Sequence, residues 1–305
     1  MIVDSRREAA PPAIALLAAS LRPEQWTKNL LLFAGLIFGG RLLDPAAVGS
    51  ALAAFVIFCA LSGAMYIVND VHDREADRLH PLKQARPLAS GTLGVGTALG
   101  AATVIGVGAI ALAASISTPF ALVALAYAAL LFLYSGVLKH IVIVDVLAIA
   151  GGFVLRAIAG AVVVNVPIGM WLLTCTTLLA LFLALSKRRH ELMLLGDGAG
   201  DHRRSLDEYS PYLLDQMIAV VTASTVIAYA VFATSAETAA RLGSGYLGLT
   251  IPFVLYGIFR YLYLVHQKRG GGSPAALLAT DPPLLVCVAL WAATVMLLMY
   301  TPLGR

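Results

Sequence analysis

The sequence predicts an all-α protein that crosses a membrane many times, and three observations support this prediction. Hydrophobic residues make up 60% of the chain and charged residues only 12%, which is about half the charged fraction of a soluble domain. Residues 92–133 contain no Asp, Glu, Lys or Arg. The apolar runs are continuous and about twenty residues long, as transmembrane helices require, whereas a membrane barrel needs alternating segments of about ten residues. These features exclude a soluble enzyme, a disordered chain and a nucleic-acid-binding protein.

Each predicted helix is an apolar run bounded by charged residues, glycine or proline. We expect one integral membrane domain over residues 1–305, with a cytoplasmic N-terminal segment over 1–24. Because the first run is short, residues 12–21 before it are candidates for a helix that lies along the membrane surface. The nine predicted transmembrane helices are 25–41, 46–68, 93–115, 118–138, 141–164, 167–187, 212–236, 246–266 and 283–301.

Glycine in the third span is expected to serve helix packing. Small residues let helix backbones approach closely in lipid, where hydrophobic burial gives no net attraction between helices. The glycine pairs that fit this role are Gly96 with Gly100, and Gly106 with Gly108.

Neither a secretion signal nor a cysteine framework is evident. Charged residues lead into Pro11-Pro12 at the start of the chain, so we expect no cleavable signal peptide. Cys59, Cys175 and Cys287 each lie inside an apolar run, where a cysteine acts as a small hydrophobic residue. We expect neither a disulfide nor a metal site at these positions.

The distribution of lysine and arginine predicts the orientation of the protein. The end of the spans that holds the N-terminus has seventeen of the 21 basic residues, and Arg156 lies within the fifth span. We therefore expect a multi-pass protein of the inner (cytoplasmic) membrane, with its N-terminus in the cytoplasm and its C-terminus outside. The seventeen residues are Arg6, Arg7, Arg22, Lys28, Arg74, Arg78, Lys83, Arg86, Lys139, Lys187, Arg188, Arg189, Arg203, Arg204, Arg260, Lys268 and Arg269.

A cluster of acidic residues follows the second span at the cytoplasmic end. Asn69, Asp70, Asp73 and Asp77 (the aspartate motif) are spaced so that one helix face would carry all four. Carboxylates one turn apart repel one another, so their grouping indicates a bound cation. Mg²⁺ fits best, because it takes few hard oxygen ligands from protein and completes its shell with water and phosphate. The alternative is a solvated helix end that pairs with neighbouring arginines.

The spacing Asn69-Asp70-x-x-Asp73-x-x-x-Asp77 resembles the first aspartate-rich motif of the UbiA superfamily of intramembrane prenyltransferases. The resemblance implies a bundle of nine helices whose active site faces the cytoplasm and whose motif holds Mg²⁺ on a pyrophosphate group. Most members carry a second acidic motif after helix five or six. This sequence instead has the basic stretch Ser186-Lys187-Arg188-Arg189-His190-Glu191-Leu192.

Further motifs resemble the decaprenyl-phosphate phosphoribosyltransferase branch of that superfamily. The resemblance implies that the pyrophosphate belongs to 5-phosphoribosyl 1-diphosphate (PRPP) and that a polyprenyl monophosphate is the acceptor. The motifs are Arg22-Pro23-x-Gln25-Trp26-x-Lys28-Asn29, Tyr134-Ser135-x-x-Leu138-Lys139 with Asp145, Leu155-Arg156-Ala157-Ile158-Ala159-Gly160, and Lys187-Arg188-x-x-Glu191-Leu192.

These substrates require a pocket for three anionic groups, namely a diphosphate, a 5-phosphate and a lipid phosphate, and basic residues lie where such groups would meet the membrane surface. The candidate PRPP-binding residues are Lys28, Tyr66, Lys83, Arg86, Tyr134, Lys139, Lys187, Arg188 and Glu191. The candidate lipid-phosphate-binding residues are Arg156, Lys28, Lys139 and Arg189. We expect the two cytoplasmic loops 69–91 and 187–211 to surround the site, with 188–211 either a lid or an ordinary solvated helix.

Several of these residues have a second interpretation. Tyr66 and Tyr134 suit the pocket rim but also suit anchoring at the membrane interface. Arg156 is costly inside a span unless it is partnered or hydrated, so it binds phosphate or is neutralised structurally by carbonyls or, through water, by Asp145. His72 and His80 are expected to be surface residues.

The expected reaction is Mg²⁺-dependent transfer of phosphoribose from PRPP to the lipid phosphate. Asn69, Asp73 and Asp77 would hold the metal, and Asp70, Asp73 and Asp77 are the candidate catalytic residues. The acceptor phosphate is already an anion, so it needs no dedicated general base. Two alternatives are open: transfer of a prenyl group from a prenyl diphosphate to an aromatic acceptor, or a transporter that uses Asp145 with Arg156. The small residues on the outer helix faces also permit a homo-oligomer.

Overall fold

The computed structural model describes residues 11–195, 204–268 and 270–302, and across these ranges the regular structure is entirely helical. Eight helices are long and apolar enough to cross a membrane, and they match eight of the nine predicted spans. They are α3 (Pro45–His72), α5 (Val95–Ile116), α6 (Thr118–Gly136), α7 (Val144–Val163), α8 (Met170–Leu195), α9 (Pro211–Thr234), α11 (Ile251–Gln267, preceded by the 3-10 helix Leu247–Thr250) and α13 (Pro282–Tyr300).

Shorter helices connect these eight. The surface segment predicted at 12–21 forms α1 (Ala13–Ser20), whose Leu16 and Leu17 pack against α3 and α5. The others are α2 (Phe33–Phe38), α4 (Arg74–Leu79), α10 (Ala236–Leu242) and α12 (Pro274–Thr280), with 3-10 helices at Pro23–Leu32, Leu138–His140 and Arg204–Leu206.

The predicted span 25–41 is not one continuous α-helix. It consists of the 3-10 helix Pro23–Leu32 followed by α2. The segment lies very close to α7, since a side-chain Cβ at Gly160 of α7 would lie 1.9 Å from the backbone oxygen of Leu32. The segment therefore packs backbone against backbone on α7 and buries Asn29 completely.

Four of the long helices begin with the same local signal, a capping side chain followed within two residues by proline. The side chains of Asp44, Ser117, Ser210 and Asp281 each accept a hydrogen bond from a backbone N–H in the first turn. This arrangement satisfies donors that have no partner within the helix, and proline at the first turn has no N–H to satisfy. The start of these helices is thus encoded locally.

The core consists of two packed groups of helices that share α7. One group contains α3, α5, α6 and α7, and the other contains α7, α8, α9, α11 and α13. The predicted role of glycine in α5 is wrong for Gly96, Gly100 and Gly108, because a Cβ there would meet no atom within 4 Å, whereas one at Gly106 would lie 3.9 Å from the Ala64 Cβ of α3. Much closer approaches occur between the segment before α3 and the helices that it contacts, at Gly35, Gly63 and Gly160.

The ends of α3, α6 and α8 meet the starts of α7 and α9 at one end of the bundle. Lys139 after α6 pairs with Asp73 after α3, and Ser205 before α9 donates a hydrogen bond to the Lys139 carbonyl. The connections predicted to be cytoplasmic therefore lie together, and they carry most of the candidate site residues.

Candidate active site

The aspartate motif is divided between two helices rather than carried on one helix face as predicted. α3 ends at His72, Asp73 is outside both helices, and α4 carries Asp77. Two pairs result: Asn69 donates to Asp73 Oδ2 at 2.9 Å, while Asp70 Oδ1 and Asp77 Oδ2 both accept from Arg86 Nη1, at 3.2 and 2.5 Å. The break keeps the four side chains at one end of α3 and turns them toward different neighbours.

Each carboxylate of the motif is paired with a basic residue, and for Asp70 and Asp73 one such partner comes from a distant part of the chain. Arg22, before the first 3-10 helix, pairs with Asp70. Lys83 lies 3.6 Å from Asp77, and Lys139 pairs with Asp73. Basic groups therefore lie beside these carboxylates and balance their negative charge, as a bound metal cation would otherwise do.

An open cleft lies beside the motif. Five predicted site residues from three segments of the chain line it: Asp73, Asp77, Lys83, Lys139 and Glu191. His80 also lines the cleft and is only 5% exposed, so its prediction as a surface residue is wrong. The chain turns at Pro81, and the His80 ring is held there by a hydrogen bond from the Leu82 N–H to Nδ1 at 3.1 Å. His72 is exposed, as predicted.

A group of basic residues lies near Tyr66. The Arg22 guanidinium carbon is 5.1 Å from the centre of the Tyr66 ring. The charges of Arg22 and Arg156 both act on Lys28, and the charge of Lys28 acts on Lys187 in α8. Among the described residues, Lys28 forms no ion pair or side-chain hydrogen bond, so its ammonium group is available to an anion.

Arg156 lies in the middle of α7 and is only 4% exposed. It donates to Asn29 Oδ1 at 2.7 Å, to the Gly152 carbonyl at 3.0 Å and to the Tyr127 hydroxyl at 2.5 Å. These contacts give the guanidinium group neutral hydrogen-bond partners from its own helix and from two other elements, and they leave its positive charge in place. Asp145 contributes none of these contacts.

Asp145 pairs instead with Arg188 of α8, at 2.6 Å from Arg188 Nε. Arg188 also donates to Glu191 at 2.5 Å and to the Tyr134 hydroxyl at 2.9 Å, and it is 1% exposed. The Tyr209 hydroxyl donates to Asp145 at 2.8 Å. Burial, reinforced by the negative charge of Asp145, raises the pKa of the Tyr209 phenol, so this hydroxyl keeps its proton and remains a donor.

Two further predictions concern Arg189 and the loop 187–211. Arg189 lies apart from the cleft, and the loop is only partly within the described residues. Arg189 pairs with Asp215 of α9 at 2.5 Å, and His266 of α11 contacts the same carboxylate, so the structure does not bring Arg189 to the aspartate motif. In the predicted loop 187–211, residues up to Leu195 continue α8, 196–203 lie outside the described residues, and Ser205 and Tyr209 are buried.

Several residues of this region had no role assigned from the sequence, namely Arg22, Asn29, Tyr127, Ser205 and Tyr209. Arg22 carried a usable signal, because it precedes a proline and matches a motif. It also adopts a positive φ of 52°, which is uncommon for a residue other than glycine. The others are polar residues whose partners are far away in sequence, so no local pattern marks them.

The residues present fit a hard divalent cation. The motif offers carboxylate and amide oxygens only, and a cationic nitrogen of Arg86 already bridges Asp70 and Asp77. A metal ion would have to displace or reorient basic groups, since no group of three or more metal-ligating Asp, Glu, His or Cys residues is preassembled within the described part of the chain.

The fold and site together define a polytopic helical membrane protein with an ionic cleft at one end of its helices. Residues 10–281 match the model of the UbiA prenyltransferase family, and the chain belongs to this family. This membership favours the enzyme hypotheses over the transporter.

Individual relatives are consistent with that assignment. The chain is 32% identical to a decaprenyl-phosphate phosphoribosyltransferase of Corynebacterium glutamicum, over 98% of this chain and 91% of that protein. It is 34% identical to the protein of the same name from Mycobacterium tuberculosis, over 93% and 95%. Its fold is similar to that of a UbiA homologue from Archaeoglobus fulgidus bound to DMAPP and Mg²⁺, with a TM-score of 0.71, 21% identity and coverage of 92% and 97%.

Proposed function

We propose that this protein transfers 5-phosphoribose from PRPP to a polyprenyl phosphate of the decaprenyl type, with release of pyrophosphate. The observation that carries the proposal is the cleft in which Asp73, Asp77, Lys83, Lys139 and Glu191 meet. It combines metal-type carboxylates with basic residues, as a polyanionic donor requires. Relatives with this activity in their names align with nearly the whole chain.

Mg²⁺ is the proposed cofactor, held by Asn69, Asp73 and Asp77 with support from Asp70. When bound, it would supply positive charge to the diphosphate leaving group. Lys83, Arg86 and Lys139 are paired with these carboxylates, so each is within reach of phosphate oxygens on a donor bound in the same place. We propose that they exchange carboxylate partners for phosphate partners as the donor binds.

The remaining chemistry depends on positioning. The bond between ribose C1 and the diphosphate oxygen breaks, and a phosphate oxygen of the lipid forms the new bond to C1, with inversion at that carbon. Asp70, Asp73 and Asp77 are the proposed catalytic residues because they organise charge at the leaving group. Tyr66 and Tyr134 are proposed to contact PRPP at the edge of the pocket, together with Lys187 and Glu191.

The lipid phosphate is proposed to bind near Lys28. This residue has a side chain without an ionic partner among the described residues, and it lies in the field of Arg22, Arg156 and Lys187. Arg156 is proposed to contribute its charge, because its N–H groups are already used by Asn29, Gly152 and Tyr127. Lys139 would lie between the two substrates. The pairing of Arg189 with Asp215 makes it the weakest member of the predicted lipid-phosphate set.

We further propose that the cleft opens to the cytoplasm. The basic residues that predict this orientation lie at the same end of the bundle as the aspartate motif, and anionic PRPP would enter from there.

The deciding experiment uses purified protein in detergent with labelled PRPP, Mg²⁺ and decaprenyl phosphate. We expect a lipid-linked phosphoribosyl product that requires all three and that disappears when EDTA removes the metal. The matched control replaces PRPP with a prenyl diphosphate and offers an aromatic acid as acceptor. Turnover in that control, with no lipid-linked phosphoribose from PRPP, would establish the alternative prenyl-transfer activity instead.

A further inference from the structure

A buried network joins the segment before α9 to the start of α7. The Tyr209 hydroxyl donates to Asp145 Oδ1 at 2.8 Å and accepts a hydrogen bond from the Ile143 N–H, also at 2.8 Å. The Ser205 hydroxyl lies 3.5 Å from Asp145 Oδ2 and donates to the Lys139 carbonyl at 2.9 Å. Tyr209 is 4% exposed, and Asp145 and Ser205 are fully buried. Among the described residues, Tyr209, Asp145 and Ser205 form no side-chain hydrogen bond to the aspartate motif.

The network continues from Asp145 to the cleft through Arg188. Arg188 Nε contacts Asp145, and its two terminal nitrogens donate to Glu191 Oε2 and to the Tyr134 hydroxyl. Arg188 is 1% exposed and donates one hydrogen bond from each of its three nitrogens, so its guanidinium group is held in place by Asp145, Glu191 and Tyr134. Glu191 does line the cleft. Arg188 therefore connects the buried network to a residue that a donor can reach.

The backbone at the start of α7 supports a fixed role for this network. Ile143 has a φ of 69°, a genuine outlier for a β-branched residue. Such a conformation persists only where its surroundings hold it, and the Tyr209 hydroxyl binds the N–H of this residue. The hydroxyl thus connects a strained turn to a buried carboxylate, and the arrangement of Asp145 depends on it.

We infer that Tyr209 and Asp145 are positioning residues that, through Arg188, fix Glu191 as a hydrogen-bond acceptor for the ribose hydroxyls of the donor. The inference rests on the proposed function, because only a phosphoribosyl donor presents such hydroxyls. A carboxylate is a suitable acceptor for a sugar diol, and its pairing with Arg188 keeps it oriented. Glu191 then distinguishes a sugar diphosphate from a prenyl diphosphate, which has no hydroxyl to donate.

The test removes one hydroxyl. In Tyr209→Phe, which removes both hydrogen bonds of the hydroxyl, we expect the KM for PRPP to rise about fivefold, which corresponds to about 1 kcal/mol. We expect kcat and the KM for decaprenyl phosphate to change less than about twofold. Asp145→Asn, which keeps the shape of the side chain, should raise the same KM further. The matched control is Tyr212→Phe on the outside of α9, where the side chain is 75% exposed and no change is expected.

A double variant separates positioning from a purely structural role. If Tyr209 acts through Glu191, then Tyr209→Phe adds no further rise in the KM for PRPP once Glu191→Gln is present. An equal rise in both backgrounds would overturn the inference. So would a fall in kcat with the KM for PRPP unchanged, which is what a smaller folded fraction produces. A wild-type protein that does not turn over PRPP at all would contradict the proposed function, and the inference with it.

Discussion

Asp73 belongs to the aspartate motif and is also the ionic partner of a buried lysine. The side chain of Lys139 is 5% exposed, whereas that of Asp73 is 21% exposed. Removing Asp73 therefore lowers the stability of the fold mainly through Lys139, because a buried ammonium group without a carboxylate is strongly unfavourable. A loss of activity on mutation of Asp73 thus has two possible causes, chemistry and stability.

The variant Asp73→Ala is expected to abolish turnover and also to lower stability, by about 1–3 kcal/mol. The loss of stability follows from the pairing with Lys139, which the sequence does not reveal. The double variant Asp73→Ala/Lys139→Met should recover much of the lost stability, since removing both partners of an ion pair costs far less than removing one. It should remain inactive. Thermal melting in detergent and the PRPP turnover assay measure the two effects separately.

The opposite pattern would change the assignment. If the double variant regained turnover together with stability, Asp73 would be a structural partner of Lys139 and not a metal ligand. Asn69→Ala is a useful companion, because Asn69 contacts Asp73 but carries no charge. Asn69→Ala should raise the Mg²⁺ concentration that half-maximal turnover requires, without a comparable loss of stability.

Single residues also show where sequence reasoning reaches its limit. The sequence shows that Arg156 is a charged residue inside an apolar run, and that it therefore needs polar partners or water. Its partners are not evident there, because Asn29 is 127 residues away and Tyr127 is 29 residues away. Asp145 and Arg156 share a helix, which suggested a pair, but the partner of Asp145 is on α8. The sequence identifies which groups need partners, while the packing of helices decides which partners they find.

At the level of elements, the 3-10 helix Pro23–Leu32 and α7 form the contact that supports the basic group. The backbone of Leu32 lies against Gly160, and Asn29 in the same 3-10 helix accepts a hydrogen bond from Arg156. Gly160 was noted in the sequence as the last residue of a motif that includes Arg156. Its role is steric, because it lets the two backbones approach closely enough for that hydrogen bond.

We expect Gly160→Ala to destabilise the protein by at least about 2 kcal/mol, since the new methyl group would lie 1.9 Å from the Leu32 oxygen and must force the two elements apart. The matched control is Gly108→Ala in α5, where a Cβ meets nothing within 4 Å. That change should be neutral or slightly stabilising, because alanine favours a helix over glycine by up to about 1 kcal/mol. Melting temperatures of the two variants provide the comparison, and equal values would contradict the close contact.

The glycines show why some elements were predictable and their contacts were not. Apolar runs and capping residues mark where a helix lies and where it begins, since both signals are local. The sequence does not distinguish a glycine at a contact between helices from a glycine that faces lipid. Gly96 and Gly100 in α5 have the expected four-residue spacing and yet face open space, whereas Gly160 has no glycine four residues after it.

For the whole molecule, eight of the nine predicted spans are long helices, and the exception is the span 25–41. Its first five residues include Gln25, Lys28 and Asn29, and this polar start leaves only a short apolar run. The uneven placement of basic residues was also readable from the sequence. It could not show that many of these residues are paired with the acidic residues of the same region, which leaves Lys28 as a prominent unpaired cation among the described residues.

The predicted orientation has a direct test, because two exposed positions lie at opposite ends of the bundle. Gln84 is in the connection between α4 and α5, beside the aspartate motif, and Gly245 is between α10 and the 3-10 helix before α11. We expect a cysteine at position 245 to react with a membrane-impermeant maleimide in intact spheroplasts, and a cysteine at position 84 to react only after lysis. The native thiols are a small background, since Cys59 and Cys287 are buried and Cys175 is partly buried. Labelling at position 84 in intact spheroplasts, with none at position 245, would reverse the orientation and place the cleft on the side away from cytoplasmic PRPP.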